Sequence, residues 1–247
     1  MKRMISPATP SSAHGRRVYR REYVERLFDS IAPKYDVLNH LLSFGRDILW
    51  RKRVVWALRA IAPQRLLDVA TGTGDLAIAA ATLRPRSIVG IDVSAGMLNL
   101  ATDKIRRQGL DKTISVQRAD AEHLPFPDAS FDAVTVAFGV RNFADLNGGL
   151  REMARVLRRG GVAAILEFSK PAGSFIRALF AAYSRSVIPS LGGAISGNPE
   201  AYKYLPATVA EFPSGDAFAR ILQDAGFETV SVHEQTFGIA TLYLASR

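Results

Sequence analysis

Cysteine is absent from the 247 residues of this sequence, which excludes disulfides, thiolate nucleophiles and metal sites built on cysteine. The four histidines are scattered without the spacing of metal ligands, so we expect no bound metal. No apolar run reaches the roughly 18 residues that would span a membrane. The opening segment MKRMISPATPSSAHGRR lacks the apolar core of a signal peptide. These absences predict a cytoplasmic location.

The charge of the sequence is concentrated near its beginning. Residues 1–59 hold 13 Lys and Arg against five Asp and Glu, whereas residues 60–247 hold 19 against 18. Such a basic segment can bind nucleic-acid phosphates, bind anionic lipid headgroups, or serve as a solvated arm. The overall composition, 48% hydrophobic and 22% charged, is that of a globular protein. Its length suits one α/β domain with an appended segment.

The N-terminal quarter reads as a tail followed by helices. Residues 1–15 are rich in Ser, Pro, Thr and Ala, and we predict a disordered basic tail. Apolar residues then recur every four positions from Tyr19 to Ile31, which predicts an amphipathic helix over 16–31 with arginines on its other face and Pro33 at its end. A second helix is predicted from Asp47 to Ile61. Residues 16–61 would form a helical cap or lid.

From Arg65 onward strands and helices alternate, which favours a parallel sheet covered by helices on both faces. The predicted helices span 75–83, 95–108, 145–158 and 214–225, with a longer helical segment at 174–210 on the substrate side. The predicted strands span 65–70, 87–93, 114–120, 131–138 and 161–168. Two final strands, 228–235 and 239–246, are closely spaced and therefore predicted to be antiparallel. Residues 62–247 would form one domain.

The segment LLDVATGTGDLA follows the first predicted strand and opens the first helix. Gly72 and Gly74 allow a tight turn and a close approach of the backbone to a ligand. Asp92, 18 residues beyond Gly74, ends the second strand where a carboxylate reaches paired ribose hydroxyls. Asp120 ends the third strand at the same edge of the sheet, and Asp68 begins the loop motif. Together these residues predict a nucleotide site.

The residue after the loop indicates which nucleotide binds. A loop that holds pyrophosphate favours G-x-G-x-x-G with the helix N-terminus facing the phosphates. Here Asp75 follows Gly74 at once, and an acid at the helix start repels phosphate but tolerates a cation. S-adenosylmethionine carries a sulfonium and an ammonium and no phosphate. The loop therefore favours a methyltransferase over a dehydrogenase.

Longer motifs resemble a known family. The segments YDVLNHLLSFGRDILWRKR, LLDVATGTGDLA, ADAEHLPFPDASFDAVTVAFGVRN, REMARVLRRGGVAAILEFSKP and AYKYLPATVAEFP resemble, in order and spacing, the demethylmenaquinone and 2-polyprenyl-6-methoxy-benzoquinol C-methyltransferases of quinone biosynthesis. This resemblance implies a Rossmann-like, S-adenosylmethionine-dependent fold with a mostly parallel seven-stranded sheet and an antiparallel last strand. It also implies cofactor contacts at Thr73, Asp92, Asp120 and Ala121.

The methyl acceptor would be a prenylated hydroquinol, and "FGVRN" at the end of the fourth strand offers the groups to hold it. Arg141 could hold a phenolate oxygen, since a guanidinium stays charged. Asn142 could offer a donor and an acceptor to the other ring oxygen. In the competing interpretation Arg141 only forms a salt bridge with Asp145 or Glu167. Glu167 is in turn either a proton acceptor or a structural partner of the arginine.

Two further segments have alternative interpretations. Tyr35, Asp36 and Asn39 fold over the donor as a lid if the resemblance holds, or Asp36 caps a helix start. The apolar helical segment 174–210 suits a slot for an isoprenoid tail. A substrate of that kind partitions into the bilayer, so the arginine-flanked helix 16–31 would touch anionic lipid, or else pack on the core with its arginine heads in water.

Two other functions stay open from the sequence. One is an RNA methyltransferase, which the basic N-terminus favours, although the basic residues are not interleaved with aromatic residues as in an RNA-stacking platform. We therefore expect no nucleic-acid partner. The other is a non-catalytic scaffold of a quinone-biosynthesis complex, which the intact loop and Asp92 argue against. Whether the chain forms a homo-oligomer is left open.

Overall fold

The computed structural model describes residues 8–9, 18–19, 21–171, 173–183, 186 and 199–247. Its helices are α1 (Arg21–Ile31), α2 (Tyr35–Leu42), α3 (Arg46–Leu58), α4 (Asp75–Ala80), α5 (Ala95–Arg107), α6 (Leu146–Val156), α7 (Ser174–Ala182), α8 (Pro199–Glu211) and α9 (Asp216–Asp224). Its strands are β1 (Ala8–Thr9), β2 (Val18–Tyr19), β3 (Arg65–Val69), β4 (Ser87–Asp92), β5 (Ile114–Arg118), β6 (Phe131–Ala137), β7 (Leu157–Phe168), β8 (Thr229–Gln235) and β9 (Ala240–Ser246).

Seven strands form one sheet in the order β5-β4-β3-β6-β7-β9-β8. The pairs along β5-β4-β3-β6-β7 are parallel, and β9 is antiparallel to both β7 and β8. The last strand is therefore inserted between β7 and β8. This arrangement confirms the predicted sheet, including its antiparallel last strand.

Helices cover both faces of the sheet because the central strands are apolar on both sides. Leu66 packs on one face with Trp50 and Leu58 of α3, while its neighbour Leu67 packs on the other face with α6 and α9. All these leucines are fully buried. The buried centre leaves the carboxyl ends of the strands as the edge where polar groups collect.

Several predicted boundaries are wrong. The predicted helix 16–31 begins only at Arg21, because Val18–Tyr19 pairs with Ala8–Thr9 in a short antiparallel ladder. The fifth strand of the domain begins at Leu157 instead of 161, because Leu157 takes an extended conformation and pairs with Phe131. The helix predicted to reach residue 158 ends at Val156 for the same reason.

Some predictions lie partly outside the described residues. Most of the predicted tail 1–15 lies outside the described residues. Residues 184–185 and 187–198 of the predicted substrate-side segment also lie outside them. Within the described part of that segment, α7 and α8 are helical as predicted. Among the residues that the structure describes, every helix is too short or too polar to cross a bilayer, and no cluster of His, Asp or Glu could hold a metal ion.

Candidate functional site

A cleft opens at the carboxyl ends of β3, β4 and β6, beside the glycine loop. Gly72 has a φ of +56°, and a Cβ added there would meet no atom within 4 Å, so the loop borders open space. Its N–H donates to Oδ2 of Asp92 at 2.9 Å, and Ser94 N–H donates to Oδ1 at 2.9 Å. The carboxylate of Asp92 is thereby fixed at the end of β4. Burial raises the pKa of Asp92.

Five of the predicted site residues meet in the wall of this cleft, which has a volume of about 90 Å³. They are Gly72, Asp92, Asp120, Ala121 and Asn142. Met97 and Phe143 add apolar surface to the same wall. The cleft thus combines three carboxylates, those of Asp92, Asp120 and Glu122, with an apolar lining.

Asp68, Thr73 and Gly74 are not part of this wall. Asp68 lies beneath the loop, where its carboxylate accepts hydrogen bonds from the hydroxyls of Thr71 and Thr135, each at 2.6 Å. Burial raises the pKa of Asp68 to about 6. Gly74 begins α4 with a φ of +84°, and a Cβ there would lie 3.3 Å from that of Ala101. Asp68 and Gly74 therefore support the conformation of the loop from the side that faces away from the cleft.

The cleft has the donor and acceptor groups that a nucleoside sulfonium needs. Each oxygen of Asp92 accepts one backbone N–H and keeps capacity for one more hydrogen bond, which matches a pair of ribose hydroxyls. The open space beside Gly72 leaves room for the ligand next to the loop. Asp92 and Asp120 also give the wall an acidic character, which suits a cationic ligand better than a phosphate.

Helix α1 forms a roof over the cleft and is attached at three points spaced four residues apart. Arg21 donates to Asp120 at 2.5 Å, and Glu25 accepts from Arg118 at 2.5 Å. Asp29 accepts from the hydroxyl of Ser94 at 2.5 Å and from Gly96 N–H at 3.0 Å. We call these contacts the α1 tethers. They recur at each turn of the helix, so all three face the cleft rim.

The apolar side of α1 is occupied inside the protein. Val24, Leu27 and Ile31 are buried, and the last two pack in one cluster with Met97 of α5 and Tyr204 of α8. This arrangement agrees with the alternative in which the helix predicted over 16–31 packs on the core of the protein. Its side chains are therefore not arranged as a lipid-facing stripe.

The segment predicted as a lid lies against the glycine loop. Asp36 accepts from the hydroxyl of Thr73 at 2.6 Å and from Nζ of Lys104 at 2.9 Å. The alternative in which Asp36 caps its own helix is wrong, because its carboxylate contacts these side chains and the cap position of α2 has no side-chain bond. Lys104 also pairs with Asp75 at the start of α4. This cluster joins α2, α4 and α5.

A second, larger cavity of about 790 Å³ adjoins the cleft and has a mainly apolar lining. Apolar side chains from α1, α7 and α8 line it, among them Leu27, Ile176, Phe180 and Val209. Three aromatic residues, Phe28, Tyr35 and Phe138, line both the cavity and the cleft. Phe138 holds a φ of +60°, a strained conformation for this residue type. The two spaces therefore meet at one aromatic wall.

Arg141 and Asn142 lie on opposite sides of this junction, Arg141 in the cavity and Asn142 in the cleft. They belong to a short 3₁₀ turn, Val140–Asn142, that follows β6. The turn needs the glycine before it, because a Cβ on Gly139 would lie 2.6 Å from that of Ala70. Close packing of the ends of β3 and β6 thus places both side chains.

Arg141 is buried and paired with Glu167. Its Nη1 donates to Oε1 of Glu167 at 2.9 Å and also to the carbonyl of Phe138, and the guanidinium lies 5.6 Å from the ring centre of Phe168. Burial raises the pKa of Glu167, and Arg141 opposes that rise. The salt bridge expected in the competing interpretation is therefore present with Glu167. Arg141 forms this salt bridge and also lines the cavity, so the two interpretations of its role are compatible.

The other proposed partner of Arg141 has a different role. Asp145 accepts from Gly148 N–H at 3.0 Å and caps α6. It also lies 3.8 Å from Arg151 on the surface. The alternative pairing of Arg141 with Asp145 does not occur in this arrangement.

Sequence reasoning did not single out Tyr204. Its hydroxyl donates to Oδ1 of Asn142 at 2.9 Å, from α8. This bond fixes which side of the Asn142 amide is the donor, because Oδ1 is already used as an acceptor. The only sequence signal was the segment AYKYLPATVAEFP, which matched the family without assigning a role to the tyrosine.

Comparison with protein families and individual proteins gives one consistent result. The model of the ubiE/COQ5 methyltransferase family matches residues 16–247. A demethylmenaquinone methyltransferase of Bacteroides fragilis is 47% identical over 227 residues, covering 92% of this chain and 93% of the relative. A ubiquinone/menaquinone biosynthesis C-methyltransferase, UbiE, of Geobacter sulfurreducens is 46% identical, and the match covers 92% of this chain and 89% of the relative.

Solved structures with the same fold are more distant in sequence. A SAM-dependent methyltransferase from Aquifex aeolicus is 24% identical with a TM-score of 0.54, covering 74% of this chain and 81% of its own. A phosphoethanolamine N-methyltransferase of Haemonchus contortus, in complex with S-adenosyl-L-methionine, is 16% identical with a TM-score of 0.55. The match covers 74% of this chain and 48% of that structure's chain. At these identities the likeness shows the fold alone.

Proposed function

The chain belongs to the ubiE/COQ5 methyltransferase family, and we propose that Arg141 and Asn142 hold its methyl acceptor, a prenylated hydroquinol, beside the donor cleft. The chain is an S-adenosylmethionine-dependent C-methyltransferase of menaquinone or ubiquinone biosynthesis, as its 46–47% identical relatives are named. One observation carries the proposal: a buried guanidinium lies in the wall of a large apolar cavity that shares an aromatic wall with the cleft.

The donor would bind across the edge of the sheet. Gly72, Asp92, Asp120 and Ala121 would contact it directly, with the Asp92 carboxylate on the ribose hydroxyls. Asp68 and Thr73 would support the loop from behind. Bound S-adenosylmethionine supplies a methyl group on a sulfonium, which needs no further activation.

The chain must make the ring carbon nucleophilic. A phenolic pKa near 10 leaves about a thousandth of a hydroquinol as the anion at pH 7, and recovering that factor requires about 4 kcal/mol. Arg141 can supply much of this through a charge-assisted hydrogen bond to the phenolate oxygen in a buried site. Asn142, on the cleft side, would donate to the second ring oxygen. The bond between the ring carbon and the methyl group forms as the methyl–sulfur bond breaks, and the ring proton then passes ultimately to solvent, which restores the aromatic ring.

Glu167 acts in this scheme through the arginine. Its carboxylate is fully buried and is bonded to the Arg141 side chain. It therefore fixes the direction in which the remaining guanidinium N–H groups point. We assign it as a positioning residue rather than as the proton acceptor.

The roof and lid would keep water out. The α1 tethers close the cleft from above, and Tyr35 on α2 lies between the cleft and the cavity. Exclusion of water strengthens the electrostatic contacts of Arg141 and protects the sulfonium. We infer that, within the lid predicted over 16–61, the side chains that line the cleft and the cavity, among them Arg21, Phe28 and Tyr35, exclude water.

The apolar cavity would hold the isoprenoid tail. Ile176, Phe180 and Tyr183 of the substrate-side segment line it, and side chains of the predicted stripe such as Phe175 and Val187 lie outside the described residues. A tail of this kind keeps the substrate in a bilayer, so the enzyme would work at a membrane surface.

A transfer assay tests the proposal. The purified full-length protein is incubated with S-adenosylmethionine labelled in its methyl group and with a short-tailed demethylmenaquinol or its benzoquinol counterpart. We expect label on a ring carbon of the quinol. Label in added RNA would support the alternative RNA methyltransferase, and absence of single-turnover transfer would support the scaffold; either result contradicts the proposal.

A further inference from the structure

The large exposed apolar side chains of this protein are concentrated in one segment. Seven such side chains occur among the described residues, and five of them lie between positions 37 and 49. They are Val37, Leu41, Phe44, Ile48 and Leu49. Phe44 is 79% exposed. A concentration of large exposed apolar side chains in one surface segment is typical of an interaction site.

The charges around this patch have one sign. The segment 33–60 contains two acids, Asp36 and Asp47, and both are turned inward, one bound to Thr73 and Lys104 and the other buried against Arg51. The exposed charged residues of this segment are all cations: Lys34, Arg46, Lys52, Arg53 and Arg59. We call the exposed apolar and cationic side chains of residues 34–56 the α2–α3 face.

The α2–α3 face adjoins the apolar cavity at two of its residues. Phe44 and Arg46 line the cavity, and the ring of Phe44 lies 5.9 Å from that of Tyr183, which also lines it. A tip between β8 and β9 adjoins the same region, since Trp50 donates to Thr236 at 2.9 Å. That tip exposes Phe237, which is 77% accessible. Phe44, which is both exposed and part of the cavity lining, therefore connects the exterior with the cavity.

We propose that the α2–α3 face docks on an anionic lipid bilayer. Exposed aliphatic and aromatic side chains flanked by lysine and arginine match the interface of such a membrane, where apolar groups enter the acyl boundary and cations meet the headgroups. The proposal rests on the proposed function, because a prenylated substrate in the bilayer would then enter the cavity directly beside Phe44.

This assignment differs from a lipid-facing helix 16–31, which was one of the two alternatives left open by the sequence. Helix α1 buries its apolar side, and its tethers use Arg21, Glu25 and Asp29 within the protein. The membrane-facing element is therefore α2 with the first two turns of α3.

Vesicle sedimentation with the full-length protein tests the proposal. Two double variants avoid every residue placed in the cleft or cavity: Leu41→Gln with Ile48→Gln, and Lys34→Glu with Lys52→Glu. A matched control, Arg84→Glu with Arg86→Glu, makes the same charge change. These two residues precede β4, at the amino-terminal ends of the parallel strands and not at the carboxyl ends that border the cleft. The probes are vesicles of phosphatidylcholine alone and of phosphatidylcholine with phosphatidylglycerol.

We expect the unaltered protein to bind the anionic vesicles and to lose binding as salt is added. The Lys34→Glu, Lys52→Glu variant should bind on the order of 20-fold more weakly, since each cation near an anionic surface contributes about a fivefold affinity. The apolar variant should also bind more weakly, and the control should bind like the unaltered protein.

Three outcomes would overturn the inference. One is binding that neither variant weakens, another is equal binding to neutral and anionic vesicles, and the third is a change from dimer to monomer in the apolar variant without any effect on vesicles. Methyl transfer to a short-tailed quinol free of vesicles separates this inference from the proposed function. All variants should retain that transfer, and its absence in the unaltered protein would contradict the function alone.

Discussion

Arg141 and Glu167 form an ion pair, 2.9 Å between Nη1 and Oε1, in which both side chains are almost entirely shielded from water. They come from the ends of neighbouring parallel strands, β6 and β7, so the sheet itself brings them together. A buried pair of this kind is costly to break from one side, because the remaining charge is left uncompensated. The pair therefore holds the guanidinium in one orientation at the cavity wall.

Replacing Arg141 with Ala should abolish most methyl transfer while leaving donor binding within a few-fold. We expect kcat to fall by about 10²–10³, as when one preorganised donor to a developing oxyanion is removed. Transfer assays and calorimetric titration of the donor measure the two effects. Because Glu167 would be left unpaired, Arg141→Met with Glu167→Gln serves as a control for folding. Lost donor affinity with intact turnover at saturation would contradict the assignment.

Replacing Asp92 with Ala should weaken donor binding by about 1–3 kcal/mol, the cost of leaving buried hydroxyls without an acceptor. Asp92 is held by Gly72 and Ser94 backbone amides, so its loss should also loosen the loop. Calorimetric titration with S-adenosylmethionine measures the change. Glu122→Gln, at another residue of the cleft wall, is the comparison. An equal loss in both variants would argue against a specific role of Asp92.

Asp68 should make the protein less stable as the pH rises from 4 to 6. Its pKa is raised to about 6 from 3.8, so the folded state holds the proton more tightly than the unfolded state. Its contribution is complete below about pH 4 and is lost as the pH rises through 6, a difference of about 3 kcal/mol in the free energy of unfolding. Urea unfolding of the protein and of Asp68→Asn at about pH 3 and about pH 7, on either side of both pKa values, measures it.

The same experiment contains its own control. In Asp68→Asn the decline should be smaller by the contribution of Asp68; a remainder is expected, because burial also raises the pKa values of Asp92 and Glu167. The exposed Asp111→Asn variant should keep the whole decline. An identical pH dependence in the protein and in Asp68→Asn would show that Asp68 does not titrate in this range.

Replacing Tyr204 with Phe should lower kcat by about tenfold and leave donor affinity unchanged. The hydroxyl bonds to Oδ1 of Asn142, and removal of one hydrogen bond of this type costs about 0.5–1.5 kcal/mol. A structural role alone would lower stability without changing kcat at saturation. Transfer assays at saturating donor and quinol, with thermal unfolding as a parallel measurement, distinguish the two.

The sheet and the donor loop could be predicted because their signals are local. Continuous apolar runs, two glycines and acids at the ends of strands all lie in short stretches of sequence, and parallel strands bring their carboxyl ends to one edge. The pairing of Arg141 with Glu167 was available as an alternative for the same reason. The start of β7 could not be predicted in this way, because it depends on the pairing of Leu157 with Phe131 on the neighbouring strand.

The cap and its contacts could be predicted only in outline. Helix α2 has few local signals, and its place depends on Asp36 reaching Thr73, 37 residues further along the chain. The contact of Tyr204 with Asn142 spans 62 residues. Such pairs depend on how helices pack in three dimensions, which sequence spacing does not encode. The spacing of Arg21, Glu25 and Asp29 was visible, but its partners were not.

Phe28, Tyr35 and Phe138 bound both the cleft and the cavity, and this shared boundary has a thermodynamic consequence. With the donor in the cleft and the quinol in the cavity, as proposed, both ligands would touch these rings, and a ring rotamer selected by one ligand would change the affinity for the other. Such linkage is reciprocal: whatever factor the donor adds to quinol affinity, the quinol must add to donor affinity. A donor that has lost its methyl group would touch the rings differently, so we expect methyl transfer itself to change the affinity for the finished quinol.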